Sequence, residues 1–407
     1  MVRIRRAIFA TTALLLTTCA GVTTESKLLR VVGPTAPVVT ASAAPTALEV
    51  TWGFGAPVIP VYIDDRGPWN FVLDSGAGMY ALDQRAADEL NLKLVDVSSD
   101  GAGVAAPDYV GGHANVRNAA LIREFRAGPL VDRDTGAAVL DLSDFERVSG
   151  KRIDGVLPAA AFHGALLVFD AGKETVTVTA GELPPADGEN VLTLAQSPLA
   201  TVALEICGKP CWTIIDTGGN GGLTVPAALC SSAMFRSPPA VASMHQTIAG
   251  LSPVRKGRLN GTIACGRHRI LEPVVSLSDE RYAVFGLDLL RDFRVTFDFA
   301  HQRVRFERND DLGPIHSRSV RGIGLGFYGA RDDDDTWTVG YVLDDSPAAQ
   351  AGIHADDRIE TVDGQPVSKL PDGTWAKLMN TSDSVRLRVL DAGGSRLVDV
   401  RVATLVE

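Results

Sequence analysis

Two short motifs carry residues that could do chemistry: Asp74-Ser75-Gly76-Ala77-Gly78 and Asp216-Thr217-Gly218-Gly219-Asn220. One Asp-Ser/Thr-Gly alone is more often a turn than a reactive group, because Asp and Gly are ordinary turn residues. Here each motif follows an apolar run, Asn70-Phe71-Val72-Leu73 or Cys211-Trp212-Thr213-Ile214-Ile215. A buried strand that ends on a carboxylate is costly unless the acid is hydrogen-bonded or paired. The glycine after each Ser or Thr lets backbone come close and donate to that carboxylate. Two carboxylates held together are equipped for general acid–base work.

The elements that must position them form an internal repeat. Residues 58–63 are expected as a strand and 64–69 as a turn, with Asn70-Phe71-Val72-Leu73 running into the first motif. The same order returns at 201–206, the Gly208-Lys209-Pro210 turn and the run before Asp216. A short helix is expected after each motif, over 82–90 and 225–233. Ile153-Asp154-Gly155-Val156-Leu157 opens the close of one copy, and Val284-Phe285-Gly286-Leu287 that of the other. Each copy ends in a hairpin, Leu167-Val168-Phe169-Asp170 with 175–179, and Val295-Thr296-Phe297-Asp298 with 303–307. Residues 183–190, with two prolines and a glycine, join the copies. One β unit is therefore duplicated over about 48–310, and Asp74 and Asp216 are symmetry mates within it.

Phe71-Val72-Leu73-Asp74-Ser75-Gly76-Ala77 resembles the active-site signature of retropepsin- and pepsin-like aspartic peptidases, and Ile214-Ile215-Asp216-Thr217-Gly218 resembles its second-lobe partner. The apolar-apolar-Gly segments around Gly155 and Gly286 are similar to those that brace the catalytic loops there. The layout resembles bacterial gag-type aspartyl proteases with both lobes in one chain. That resemblance implies a dyad of Asp74 and Asp216 at the lobe interface, with Ser75 and Thr217 cross-bracing the loops and Gly76 and Gly218 supporting them. Two unit charges ~3 Å apart at an effective dielectric of ~20 repel by about 5 kcal/mol, so the pair would share one proton. One Asp would activate water and the other protonate the scissile carbonyl, with neither metal nor cofactor. Two departures from the family pattern are Gly219-Asn220 and Pro158. Flaps are expected at 101–112, where Tyr109 is the candidate aromatic, and at 246–259.

From about residue 315 the pattern changes. Arg321-Gly322-Ile323-Gly324-Leu325-Gly326-Phe327, Ser346-Pro347-Ala348-Ala349 and Val362-Asp363-Gly364 strongly resemble a bacterial PDZ domain. Pro347 suits a first helical turn and Gly352 a helix end. The resemblance implies that Gly322, Ile323, Gly324 and Leu325 hold a peptide C-terminal carboxylate beside an open strand edge. Residues 370–379 would form the helix across the groove.

The chain has 407 residues, 45% hydrophobic and 22% charged, which suits two or three globular domains. A net charge of −10 argues against nucleic acid or an anionic lipid surface as the main partner. Arg3, Arg5 and Arg6 followed by apolar 7–16 match a secretory signal and are too short to span a bilayer. Leu16-Thr17-Thr18-Cys19 resembles a lipobox, so either Cys19 is lipidated or cleavage a few residues on frees the protein. Of the other cysteines, Cys207 and Cys211 flank a tight turn and could pair across a hairpin, a zinc site being the weaker reading. The scattered histidines and the 332–335 acidic run suggest no nucleophile elbow or calcium loop.

These expectations combine into a mainly β protein. A signal occupies 1–22, a flexible tether 23–47, retropepsin-like β-barrel lobes 48–185 and 186–312, and an α+β PDZ domain 313–407. The function expected is an exported aspartic endopeptidase acting on peptides or proteins, with a C-terminal peptide as PDZ ligand and a membrane link only through lipid. The alternative is an inactive peptide-binding scaffold.

Overall fold

The computed structural model describes residues 37–53, 56–97, 104–105, 115–143, 145–146, 151–219, 221–247, 250–308, 314–317, 319–328, 335–371, 373–391 and 393–407. The signal, Cys19, Tyr109 and nearly all of the first expected flap lie outside them, as does the 332–334 part of the acidic run.

The chain is mainly β, and the duplication is visible strand by strand. In the first lobe Ala56–Ile63 turns back into Arg66–Asp74, Gly155–Pro158 lies parallel to the latter, and Ala81–Asp83 runs antiparallel to Gly155–Pro158. In the second, Thr201–Ile206 turns back into Lys209–Ile215, Ala283–Phe285 lies parallel to it, and Leu223–Pro226 runs antiparallel to that strand. The inward-facing residues are large and apolar. Phe71, Leu73, Leu82 and Phe125 in one lobe, and Ile215, Phe285, Phe293 and Phe306 in the other, belong to one continuous core. Burial of such side chains contributes about 1.5–3 kcal/mol each.

The terminal hairpins do more than close their own copies. Leu166–Asp170 pairs antiparallel with Phe293–Asp298, in register Leu167 to Phe297 and Phe169 to Val295. With Thr175–Thr179 and Arg303–Arg308 they form a sheet shared by both lobes. That pairing is invisible in either copy read alone.

Several boundaries differ from expectation. The described part of the segment expected as a tether, 37–47, contributes sheet edges: Val38–Val39 pairs with Leu130–Leu140, and Thr46–Ala47 with Thr175–Thr179. Its Val and Thr residues suit an exposed edge, which a Pro- and Ala-rich composition masks. The helix expected over 82–90 is Gln84–Leu90, because Asp83 caps it by accepting the Arg85 N–H at 3.0 Å. The helix expected over 225–233 is absent. Strand Leu223–Pro226 gives way to the 3₁₀ turns Ala227–Leu229 and Ser232–Met234. Pro226 holds Val225 extended, and Cys230 sits in extended backbone between the turns.

The expected Cys207–Cys211 pairing is also corrected: the disulfide joins Cys207 to Cys230, with Cα atoms 6.0 Å apart. In the hairpin Ile206 pairs with Lys209 and Leu204 with Cys211, so Cys207 sits at the tip and Cys211 two residues down the strand. Cys211 and Cys265 are buried thiols. Among the described residues no three His, Cys, Asp or Glu side chains are grouped to hold a metal ion.

The C-terminal domain has its own core, including Ile323, Val339, Ile359, Leu387 and Val389. Its main sheet runs Leu325–Tyr328, Trp337–Val342, Arg358–Val362, Ser384–Asp391 and Gly394–Arg401. Pro347–Gln350 is the short helix, capped by Ser346, with Gly352 at φ +72° just beyond. Ile315–His316, inside the expected PDZ range, pairs instead with His268–Leu271 of the second lobe.

Candidate active site

Each motif sits where a strand leaves the core. Leu157 pairs with Leu73 in the first lobe and Phe285 with Ile215 in the second, so both motifs emerge between equivalent strands. The Asp216 N–H donates to the Phe285 carbonyl at 3.0 Å. Gly155 must be glycine, since a Cβ there would collide with the Phe71 ring and the Ala81 carbonyl. Pro158 lies opposite Asp74 in the parallel pair and starts the turn Ala159–Phe162. A proline at the end of a strand costs no ladder bond, which accounts for that departure.

The lobes bring the Asp74 and Asp216 carboxyls together: a Cβ on Gly76 would lie 3.1 Å from both the Asp216 carboxyl carbon and Asp74 Oδ1. Gly76 N–H donates to Asp74 Oδ1 at 2.6 Å, while Gly218 and Gly219 donate to Asp216 Oδ1 at 2.9 and 2.8 Å. A Cβ on Gly218 would lie 2.6 Å from the Asp74 carboxyl carbon, and one on Gly219 2.5 Å from Asp216 Oδ2. Both glycines are there for close approach. Gly219, a departure from the family pattern, supplies the second donor to Asp216. Asn220 lies outside the described residues.

Ser75 and Thr217 are buried and bonded across the lobes. Ser75 N–H donates to Thr217 Oγ1 at 3.0 Å, and Thr217 N–H to Ser75 Oγ at 3.1 Å. Their hydroxyls donate onward, Ser75 to the Ile215 carbonyl and Thr217 to that of Leu73 at 2.9 Å. Every donor and acceptor in this exchange is satisfied from the opposite lobe.

Asp74 is held well above the ordinary carboxylate range. Desolvation is the largest cause, followed by the neighbouring charge of Asp216, while the Gly76 and Gly218 amides pull the other way. Like charges held together cannot both ionise cheaply, so the arrangement favours one retained proton on the pair.

The second expected flap is a hairpin of Ala240–Thr247 with Gly250–Arg258, longer than the expected 246–259 and rooted further back in the lobe. Its second strand pairs with Val274–Ser278, which in turn pairs with Leu223–Pro226, the strand after the Asp216 loop.

In the PDZ domain, Gly322 ends a short strand paired with Ala403–Val406. The Ile323 carbonyl accepts from Ala348 N–H at 2.9 Å, and that of Gly324 from Leu343 N–H at 2.7 Å. Gly324 has φ +80°, with Ser346 directly against it, so glycine is required twice over. Leu325 opens the edge strand, whose only ladder partner among the described residues is Trp337–Val342. The groove helix is Thr374–Thr381, later than 370–379, because Pro371 and Gly373 at φ +77° delay its start. Two features escaped sequence reasoning. Arg321 donates to the Asn380 and Ser382 carbonyls at 2.8 and 2.9 Å, tying the loop to the helix end. Phe327 packs against Trp375 and Trp337 at centroid distances of 4.8 and 4.9 Å, holding helix to sheet. Three aromatics around one groove were the available signal.

The comparisons with known proteins agree with this geometry. Residues 59–159 match the family model of aspartyl proteases, covering the Asp74 loop and its brace. Residues 315–390 match that of PDZ domains. The chain thus carries an aspartyl protease domain followed by a PDZ domain. No curated protein matches it.

Proposed function

We propose that the protein is an aspartic endopeptidase in which Asp74 and Asp216 share one proton. The single observation that carries this reading is the convergence of the two carboxyls on the same space beside Gly76, each loop also braced by the opposite lobe. In the shared-proton state the ionised oxygen takes a proton from a bound water as that water attacks the peptide carbonyl. The other carboxyl gives its proton to the carbonyl oxygen, and the resulting diol collapses with proton return to the leaving amine. The raised value of Asp74 suits the donor role, since a carboxyl neutral at mildly acidic pH can donate.

The PDZ domain would bind the C-terminal segment of a peptide along Leu325–Tyr328 and deliver protein substrates to the cleft. Export to the cell envelope, through the Arg-led apolar segment and with or without lipid on Cys19, belongs to the same proposal. The test is a mixed peptide library incubated with the mature chain between acid and neutral pH. Cleavage that vanishes in both Asp74→Asn and Asp216→Asn is expected. Equal cleavage by either variant would refute the dyad, and no cleavage by wild type at any pH would favour a peptide-binding scaffold.

A further inference from the structure

The lobe-2 hairpin is held on both of its strands by the PDZ side of the molecule. Its first strand, Ala240–Thr247, is the last in its sheet and among the described residues pairs only with Gly250–Arg258, so its outer edge faces away from the lobe. There Tyr341, from PDZ strand Trp337–Val342, brings its hydroxyl within reach of the Met244 backbone. Opposite Met244 in the hairpin is Pro253, which has no N–H to offer inward. The Tyr341 ring in turn covers Gly326 of the PDZ edge strand and leaves no room there for a Cβ.

The second strand ends on Arg258, only 8% exposed. Its guanidinium donates to three main-chain oxygens from separate segments: Glu272 of the second lobe at 2.6 Å, Ser317 of the connection at 3.1 Å, and Glu407 after the last PDZ strand. Burying a cation is costly unless its donors are met. The planar fork of Arg meets them while fixing the angle between the segments, which a lysine ammonium would not do. The hairpin's second strand pairs with Val274–Ser278, which in turn pairs with Leu223–Pro226, the strand after the Asp216 loop.

We propose that the PDZ domain is a positioning element of the proteolytic cleft, with Tyr341 and Arg258 as positioning residues that set the lobe-2 hairpin for substrate binding. This rests on the reading of the dyad as a peptidase. Substrate held under the hairpin would then depend on PDZ docking even for peptides too short to reach the PDZ groove.

The test compares wild type, Tyr341→Phe, Arg258→Lys and Arg258→Gln as full mature chains. Hydrogen exchange over 240–258 is read without substrate, and hydrolysis of a short fluorogenic peptide is read separately. Loss of a local hold should speed exchange in Ala240–Thr247 by about 10-fold in Tyr341→Phe. KM should rise by about fivefold with kcat within about twofold, the signature of lost binding rather than lost chemistry. Arg258→Gln should show the larger change and Arg258→Lys should not restore wild type. Tyr341→Phe removes one oxygen and keeps the ring, so it serves where an Arg258 variant fails to fold. Wild-type exchange in Tyr341→Phe, or a fall in kcat at constant KM, overturns the proposal. A wild type that cleaves nothing would refute the peptidase, while exchange still decides whether the PDZ domain holds the hairpin.

Discussion

The Ser75 N–H and the Thr217 N–H each donate to the other residue's hydroxyl, at 3.0 and 3.1 Å, across the boundary between the lobes. Those hydroxyls donate back to strand carbonyls of the opposite lobe, so the motif glycines rest on a scaffold that neither copy could build alone. Thr217→Val should therefore strand a buried N–H at Ser75 and a buried carbonyl at Leu73. Each orphan costs about 1–3 kcal/mol, whereas Thr217→Ser should be nearly neutral. Urea unfolding checks this, and Ser75→Ala with Thr217→Val should cost less than the sum of the two singles.

The glycines near Asp216 are not equivalent. A Cβ on Gly219 meets the Asp216 carboxylate, while one on Gly221 meets nothing within 4 Å. Gly219→Ala should lower kcat/KM by about 100-fold, the order expected when a reacting group moves by about 1 Å. Gly221→Ala should leave it within about twofold. Steady-state assays on the two purified variants give the answer, and equal effects would contradict the close approach.

The raised Asp74 value has a definite consequence for stability. Above the ordinary carboxylate range the unfolded chain has lost this proton while the folded chain keeps it. The folded state then binds more protons, so stability falls as pH rises through the window between the two values. Asp74→Asn has no such proton to lose. Its melting temperature should exceed that of wild type by a few degrees at pH 7, with the gap shrinking towards pH 4. A gap that grows on acidification would reverse the sign. Over the same rise in pH, kcat/KM of wild type should decline.

The Cys207–Cys230 bridge closes a loop with a sequence separation of 23. Chain-entropy arithmetic gives about 3 kcal/mol for a loop of that size. Cys207→Ser and Cys230→Ser should each lower stability by a similar amount, and reductant should have no further effect on either. Non-reducing peptide mapping should find this pair linked and the Cys211 thiol free.

The fold was largely legible because it is written twice. The match between the runs before Asp74 and Asp216 located both lobes, and the Ser-Pro-Ala-Ala start located the PDZ helix. What stayed hidden depended on partners distant in the chain. Nothing local to Cys230 announces its disulfide to Cys207. Nothing local to Thr46 reveals the sheet that receives it. The site was legible in its carboxylates and loop glycines, while the hold of Tyr341 and Arg258 on the hairpin was not. Both are ordinary strand residues until the domains are docked.

The sheet shared by the lobes changes what the 183–190 linker has to do. Residues 184–189 are exposed, while Leu167 and Phe297 already pair across the lobes and Ser75 already meets Thr217. Continuity of the chain there is a convenience of synthesis: it guarantees equal amounts of the halves and a high local concentration. A nick between Pro185 and Ala186 should leave a non-covalent heterodimer. The fused chain is thus free to let its two halves diverge, as they have already done at Gly219 and at Cys230, a freedom denied to any assembly made of identical subunits.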